Sequence, residues 1–131
     1  MRTQAGIYRQ KETKTEYIFV TLVKDEKHFT PTTLYHDYPI SPTRFHWETQ
    51  GSVREDSVSG LRYRRHQERG WKMILFVRQA QKEDRGVTMP NLCLGPVRYL
   101  SHKGEKPMQI IWELERPMPP EFFQRIKVAA G

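Results

Sequence analysis

Aromatic, amide and guanidinium side chains interleave in two nearby stretches, Phe45-His46-Trp47-Glu48-Thr49-Gln50 and Ser59-Gly60-Leu61-Arg62-Tyr63-Arg64-Arg65-His66. Flat rings stack on nucleobases, amides hydrogen-bond to base edges and guanidinium groups neutralise phosphates, so this mixture points to contact with nucleic acid. From Arg54 to Lys72 the chain carries Arg54, Arg62, Arg64, Arg65, Arg69 and Lys72 against only Glu55, Asp56 and Glu68. If a helix runs from about Ser59 to Gln67, Arg62, Arg65 and Arg69 fall at three- and four-residue spacing, a stripe that can follow a phosphate backbone. The candidate nucleic-acid-binding residues are Arg44, His46, Trp47, Gln50, Arg62, Tyr63, Arg65, His66 and Lys72. Within that set, Arg62, Arg65 and Lys72 are expected on phosphates, Trp47 and Tyr63 under bases, and His46 and Gln50 at base edges. Ser57, Ser59 and Thr49 are further phosphate contacts of the same kind. Tyr35, His36, Asp37 and Tyr38 form a second candidate, the walls of a base pocket, although Pro31 and Pro39 also suit a rigid turn-rich loop.

Groups for bond-making chemistry are sparser. The histidines, His28, His36, His46, His66 and His102, show no zinc-motif spacing, so no metal site is expected. His46 and Glu48 share a face if they lie on a strand and would serve a small hydrolase as an acid–base pair, whereas the adjacent His36 and Asp37 point to opposite faces. Glu113 and Glu115 are not followed by the lysine that a metal-dependent nuclease site needs, and Gly95 and Gly104 are single turn glycines rather than a phosphate loop. Cys93, between Leu92 and Leu94, reads as a small buried hydrophobe. The expectation is therefore a binding module and not an enzyme, with no cofactor.

Composition bounds the class. The 131 residues suit one domain, and a net charge of +7 favours polyanionic partners. Mean hydropathy is low at -0.77, but three Trp, six Tyr and six Phe supply contact area for a core. A lone cysteine fits a reducing cytoplasm, and no window reads as a membrane span or signal peptide, so a cytoplasmic protein without membrane partners is expected.

The elements that must position these groups read as strands. Tyr17 to Val23 is apolar on both alternating faces, as a strand covered on two sides would be. Met73 to Val77 is similar, and Met108 to Leu114 places Ile110, Trp112 and Leu114 on one face. Gly6 to Tyr8, Arg44 to Trp47 and Pro96 to Leu100 are shorter strands. Helices are expected near Ser59 to Gln67 and near Pro119 to Ile126, where prolines open the helix and Phe122, Phe123 and Ile126 recur at helical spacing. Lys24 to Lys27 and Gln79 to Gly86 read as solvated loops. The fold class is α+β, predominantly antiparallel β, with two short helices; a small pseudo-barrel of the B3-like or PUA-like kind is the fold-level analogy, with an open β-sandwich as its alternative.

Tyr35-His36-Asp37-Tyr38, Phe45-His46-Trp47-Glu48-Thr49-Gln50, Gly60-Leu61-Arg62-Tyr63, Leu75-Phe76-Val77-Arg78, Leu94-Gly95-Pro96-Val97 and Lys106-Pro107-Met108 occur in an order that resembles one family. It is a bacterial domain of unknown function found C-terminal to superfamily-two helicase and phospholipase-D-type nuclease regions, and the resemblance runs from about Gly6 to Pro119. It implies restriction-like defence or DNA processing, with this unit recognising DNA, of specific sequence or modified base, while helicase and nuclease regions in cis or in trans do the chemistry. The chain departs in lacking a Walker loop and a His-x-Lys nuclease signature, since His102-Lys103 has the wrong spacing; Thr49 stands where a serine is expected and keeps the hydroxyl. A module that docks on a helicase or nuclease partner without touching nucleic acid is the competing reading.

Overall fold

The computed structural model describes residues 6–23, 37–80 and 86–131. Among these residues seven strands and two helices follow one another as β1 (Ile7–Gln10), β2 (Thr15–Val23), β3 (Tyr38–Ser41), β4 (Arg44–Glu48), α1 (Val58–Arg64), β5 (Lys72–Ala80), β6 (Leu92–Lys103), β7 (Gln109–Leu114) and α2 (Pro120–Ala130). All the strands belong to one sheet in the order β1-β2-β5-β6-β7-β4-β3. Every pairing is antiparallel except β2 with β5, which run parallel from Thr15↔Lys72 to Val23↔Ala80. The α+β class and the dominance of antiparallel pairing agree with the sequence. The sheet is open, so the barrel of the fold analogy is not closed by hydrogen bonds.

Strand β6 sets the shape. Its first half pairs with β5 and its second half with β7, and Val97 is matched on both sides, to Met73 and to Leu114. The two halves of the sheet are therefore offset along this strand, a stagger that goes with coiling rather than flatness. Register shifts on both sides of β6 add to it, between Leu75 and Phe76 and between Tyr99 and Ser101. Gly95 sits at the first shift with φ of +87°, a conformation that a side chain rarely adopts. Helix α2 packs on β3, β2 and β5, bridging strands that lie far apart in the sheet order.

Alternation explains the core. Ile18, Val20 and Leu22 of β2, Met73, Leu75 and Val77 of β5, and Ile110, Trp112 and Leu114 of β7 are buried, joined by Phe123, Ile126 and Ala130 of α2. The opposite face of β2 and β5 is half-buried and carries Phe19 stacked on Phe76 at 4.9 Å. Cys93 is exposed, contrary to its reading as a buried hydrophobe, because it pairs with Phe76 on that outer side of β6.

Helix α1 begins at Ser57, whose hydroxyl oxygen accepts from the Gly60 N–H at 3.1 Å and whose O–H donates to the Arg54 carbonyl at 2.7 Å. It ends at Arg64, so Arg69 lies outside the helix and the expected arginine stripe stops short. A Cβ on Gly60 would meet the Arg54 carbonyl oxygen at 2.1 Å and that of Glu55 at 2.8 Å. Only glycine lets the helix sit this close to the backbone before it. Gly60→Ala is expected to destabilise the domain by about 1–3 kcal/mol, the usual scale of overpacking. Gly51→Ala, where nothing lies within 4 Å of the new carbon, should stay within roughly 0.5 kcal/mol; urea denaturation of both variants measures the difference.

Candidate nucleic-acid interface

Strands β1 and β2 pair with Arg9 opposite Glu16, and the residues just before β5 bring Trp71 to the same end of the sheet. Glu16 is buried, an inward-facing acid in an otherwise apolar strand. A buried carboxylate needs cations to offset its lost hydration. Here Arg62 of α1 donates from Nε to Glu16 Oε1 at 2.6 Å, and Arg9 Nε lies 3.2 Å from the same oxygen. Arg62 also donates from Nη1 to Ser59 Oγ at 3.1 Å, and the Arg9 guanidinium lies 4.3 Å from the Trp71 ring centre. The phosphate role expected of Arg62 is thus shared with an internal ion pair.

Two adjoining cavities open at this end. The smaller, of about 130 Å³, is lined by Arg9, Glu16, Arg62, His66, Arg69, Trp71 and Met73. The larger, of about 370 Å³, is lined by Ile7, Tyr8, Arg9, Gln50, Ser59, Arg62 and Tyr63. Arg9 and Arg62, the two partners of Glu16, belong to both, and Arg69 joins them at the smaller. The rim is cationic as well: Lys11 and Lys14 are exposed in the β1–β2 turn, and Arg65, Arg69 and Lys72 are exposed around the α1–β5 connection. The Lys14 carbonyl accepts from the Lys72 N–H at 2.9 Å, which holds the two connections side by side.

Trp47 and Tyr63 do not serve as the expected stacking platforms, because both are buried. Trp47 meets Tyr63 edge-on at 5.2 Å and Trp112 at 5.9 Å, forming an aromatic knot between β4, β7 and α1. Burial pushes the Tyr63 phenol up to about 12, so it stays neutral. On β4, Phe45 and Trp47 face the core while His46 faces the other way, beneath Tyr38, whose ring stacks on it at 4.4 Å. His46 Nε2 lies 3.3 Å from Gln109 Oε1, so its ring is engaged inside the sheet surface rather than open to a base edge.

His66 is buried too, against Trp112 at 5.8 Å. Its Nε2 accepts from the Tyr99 N–H at 3.1 Å, which leaves Nδ1 to donate to the Trp71 carbonyl at 3.1 Å. The ring is therefore a neutral cross-link between two backbone segments, and a base-contacting role is corrected to a structural one. Asp37 Oδ1 accepts from the Glu48 N–H at 2.9 Å, tying the start of β3 to the end of β4. Tyr35 and His36 lie outside the described residues. Arg44 is exposed on the outer face, 3.4 Å from Glu113, which Arg98 approaches at 3.5 Å. Thr49, expected on a phosphate, accepts from the Met108 N–H at 2.9 Å and is buried. Among the named candidates the structure gathers Gln50, Arg62, Arg65 and Lys72 at one end, with Arg69 beside them.

Sequence reasoning missed Arg9, Glu16 and Trp71. Glu16 carried a signal: an acid at an inward position of an apolar strand demands a cation. It also missed a hydrogen-bonded chain in which Tyr99 Oη meets His102 Nδ1 at 2.6 Å and His102 Nε2 meets Glu55 Oε2 at 2.8 Å. The register shift in β6 puts Tyr99 and His102 on one face despite their odd separation. The His102 hydrogen bond holds the Glu55 carboxyl below its ordinary value of 4.5. This chain pins residues 53–56, to which α1 is fitted, and the Val53 carbonyl accepts from the Lys106 N–H at 2.8 Å.

Burial keeps the His66 pKa below its ordinary 6.5, against the opposing pull of the Trp71 carbonyl and Glu16. The unfolded chain takes up that proton first, so stability is complete above pH 6.5 and declines as pH falls below it. Thermal melts from pH 7.5 to 5.5 should show this decline, and it should be shallower in His66→Gln; equal slopes would contradict the assignment. Trp47→Ala should cost about 3–5 kcal/mol in denaturant melts, as loss of a core aromatic does.

No curated protein matches the chain. The family model described as a domain of unknown function, DUF3427, matches residues 2–126. With almost its whole length covered, and with the family's own description assigning no activity, the chain belongs to the DUF3427 family.

Proposed function

We propose that this domain binds DNA at the end of the sheet where Arg9 and Arg62 line both cavities and Arg69 the smaller. One observation carries the reading: cations remote in sequence, Lys11, Lys14, Arg65, Arg69 and Lys72, are exposed around a polar opening that also holds Trp71 and Gln50. Arg65, Arg69 and Lys72 carry no ion pair among the described residues, so their charge is available to phosphates. Arg9 and Arg62 are held by Glu16, which fixes the direction of their remaining donors. Gln50, exposed beside the larger cavity, supplies an amide for a base edge. In this reading the domain recognises DNA for helicase and nuclease regions that act on it, in a defence or DNA-processing system of the cytoplasm.

A docking module is favoured by a different feature. Edge strand β3 exposes Tyr38 and Ile40, an apolar pair that would suit a protein partner.

Titration of duplex and single-stranded DNA across a salt series separates the two. DNA binding predicts measurable affinity at low salt that falls as salt rises. Replacing Lys14, Arg65, Arg69 and Lys72 together by Ala should flatten the slope of log K against log salt by about 3. An unchanged slope and affinity would remove these residues from the interface. No affinity of the native chain for either form of DNA at low salt would overturn the proposal and leave docking.

A further inference from the structure

Phosphate contacts leave Glu16 unexplained. Its Oε1 takes both Arg9 and Arg62, whereas Oε2 is buried with no hydrogen-bond partner among the described residues. Glu16 is also among the residues that line the smaller cavity, about 130 Å³, with Arg69, Trp71 and His66. Resting on the DNA-binding reading, we infer that this cavity receives one unpaired pyrimidine base.

Size, shape and hydrogen bonding each support that occupant. A cavity of about 150 Å³ holds a benzene ring, so a space of about 130 Å³ suits one six-membered ring better than the fused rings of a purine. Trp71 and His66 line the cavity, with the Arg9 guanidinium 4.3 Å from the Trp71 ring centre, and because both nitrogens of His66 are engaged by backbone groups its ring offers the guest no hydrogen bond. Thymine and uracil present a ring N–H between two carbonyl oxygens, and cytosine presents an amino group beside a ring-nitrogen acceptor. Glu16 Oε2 takes the donor, and the arginine N–H groups take the acceptors. The cationic rim then holds the phosphates on either side of the displaced nucleotide, whose exit from the stack is easiest where the base is already unpaired.

The test is a set of duplexes identical except for one central extra nucleotide, thymidine, cytidine, adenosine, guanosine or an abasic residue. Binding is measured at a single salt concentration. The proposal expects thymidine or cytidine to bind about tenfold tighter than the abasic duplex, and the purines to gain nothing. Preference between the two pyrimidines identifies the base. In Glu16→Gln, checked for folding by circular dichroism, the ratio of pyrimidine to abasic affinity should fall toward one, whatever happens to the affinities themselves. Equal binding of all five duplexes by the native chain overturns the base site and leaves DNA binding standing, a result that needs no variant. Absence of binding to every duplex and to single strands at low salt overturns both.

Discussion

A carboxylate enclosed by protein cannot stand without cations, and Glu16 obliges two separate parts of the chain to converge. Arg9 comes from β1 and Arg62 from α1, so one ion pair secures the short edge strand and the short helix to β2. Neither element has much apolar surface of its own: β1 is four residues long and α1 seven. Removing one partner of such a buried pair typically costs 3–5 kcal/mol, because an uncompensated charge remains. Next to it, the Trp47, Tyr63 and Trp112 rings supply the apolar half of the same junction. The junction fixes the helix, and the helix forms one wall of both cavities.

The strand framework was legible wherever side-chain alternation or apolar runs were strong. Ile110, Trp112 and Leu114 declared their face, and the β2 and β5 runs were found within two or three residues of their ends. Strand β3 was hidden because Tyr-Pro-Ile-Ser looks like a turn, and proline removes a ladder donor. The same alternation, applied to Phe45 and Trp47, puts both rings on the core face; treating Trp47 as a platform overlooked that its neighbours on β7 had already been assigned to the core. Tyr63 was misplaced for a related reason, since residue type tells that a ring is useful without telling which way the helix turns it.

The cationic end was only half legible. The positive segment from Arg54 to Lys72 could be read directly, but its assembly with Lys11, Lys14 and Arg9 depends on parallel pairing of β2 and β5, which places one turn beside another across more than fifty residues. Nothing local encodes that juxtaposition. It also explains why Arg62 and Arg69, nearly adjacent in sequence, have different circumstances, one drawn into an ion pair and the other left at the cavity edge.

An open sheet has two borders where another chain can hydrogen-bond, and β3 is one of them. Pro39 offers no N–H, and the pairing of β3 with β4 slips between Pro39 and Ser41. Irregularity of this kind makes a poor template for strand addition. The molecule can therefore leave its sheet unclosed, and its cavities accessible, without inviting copies of itself to polymerise along that border.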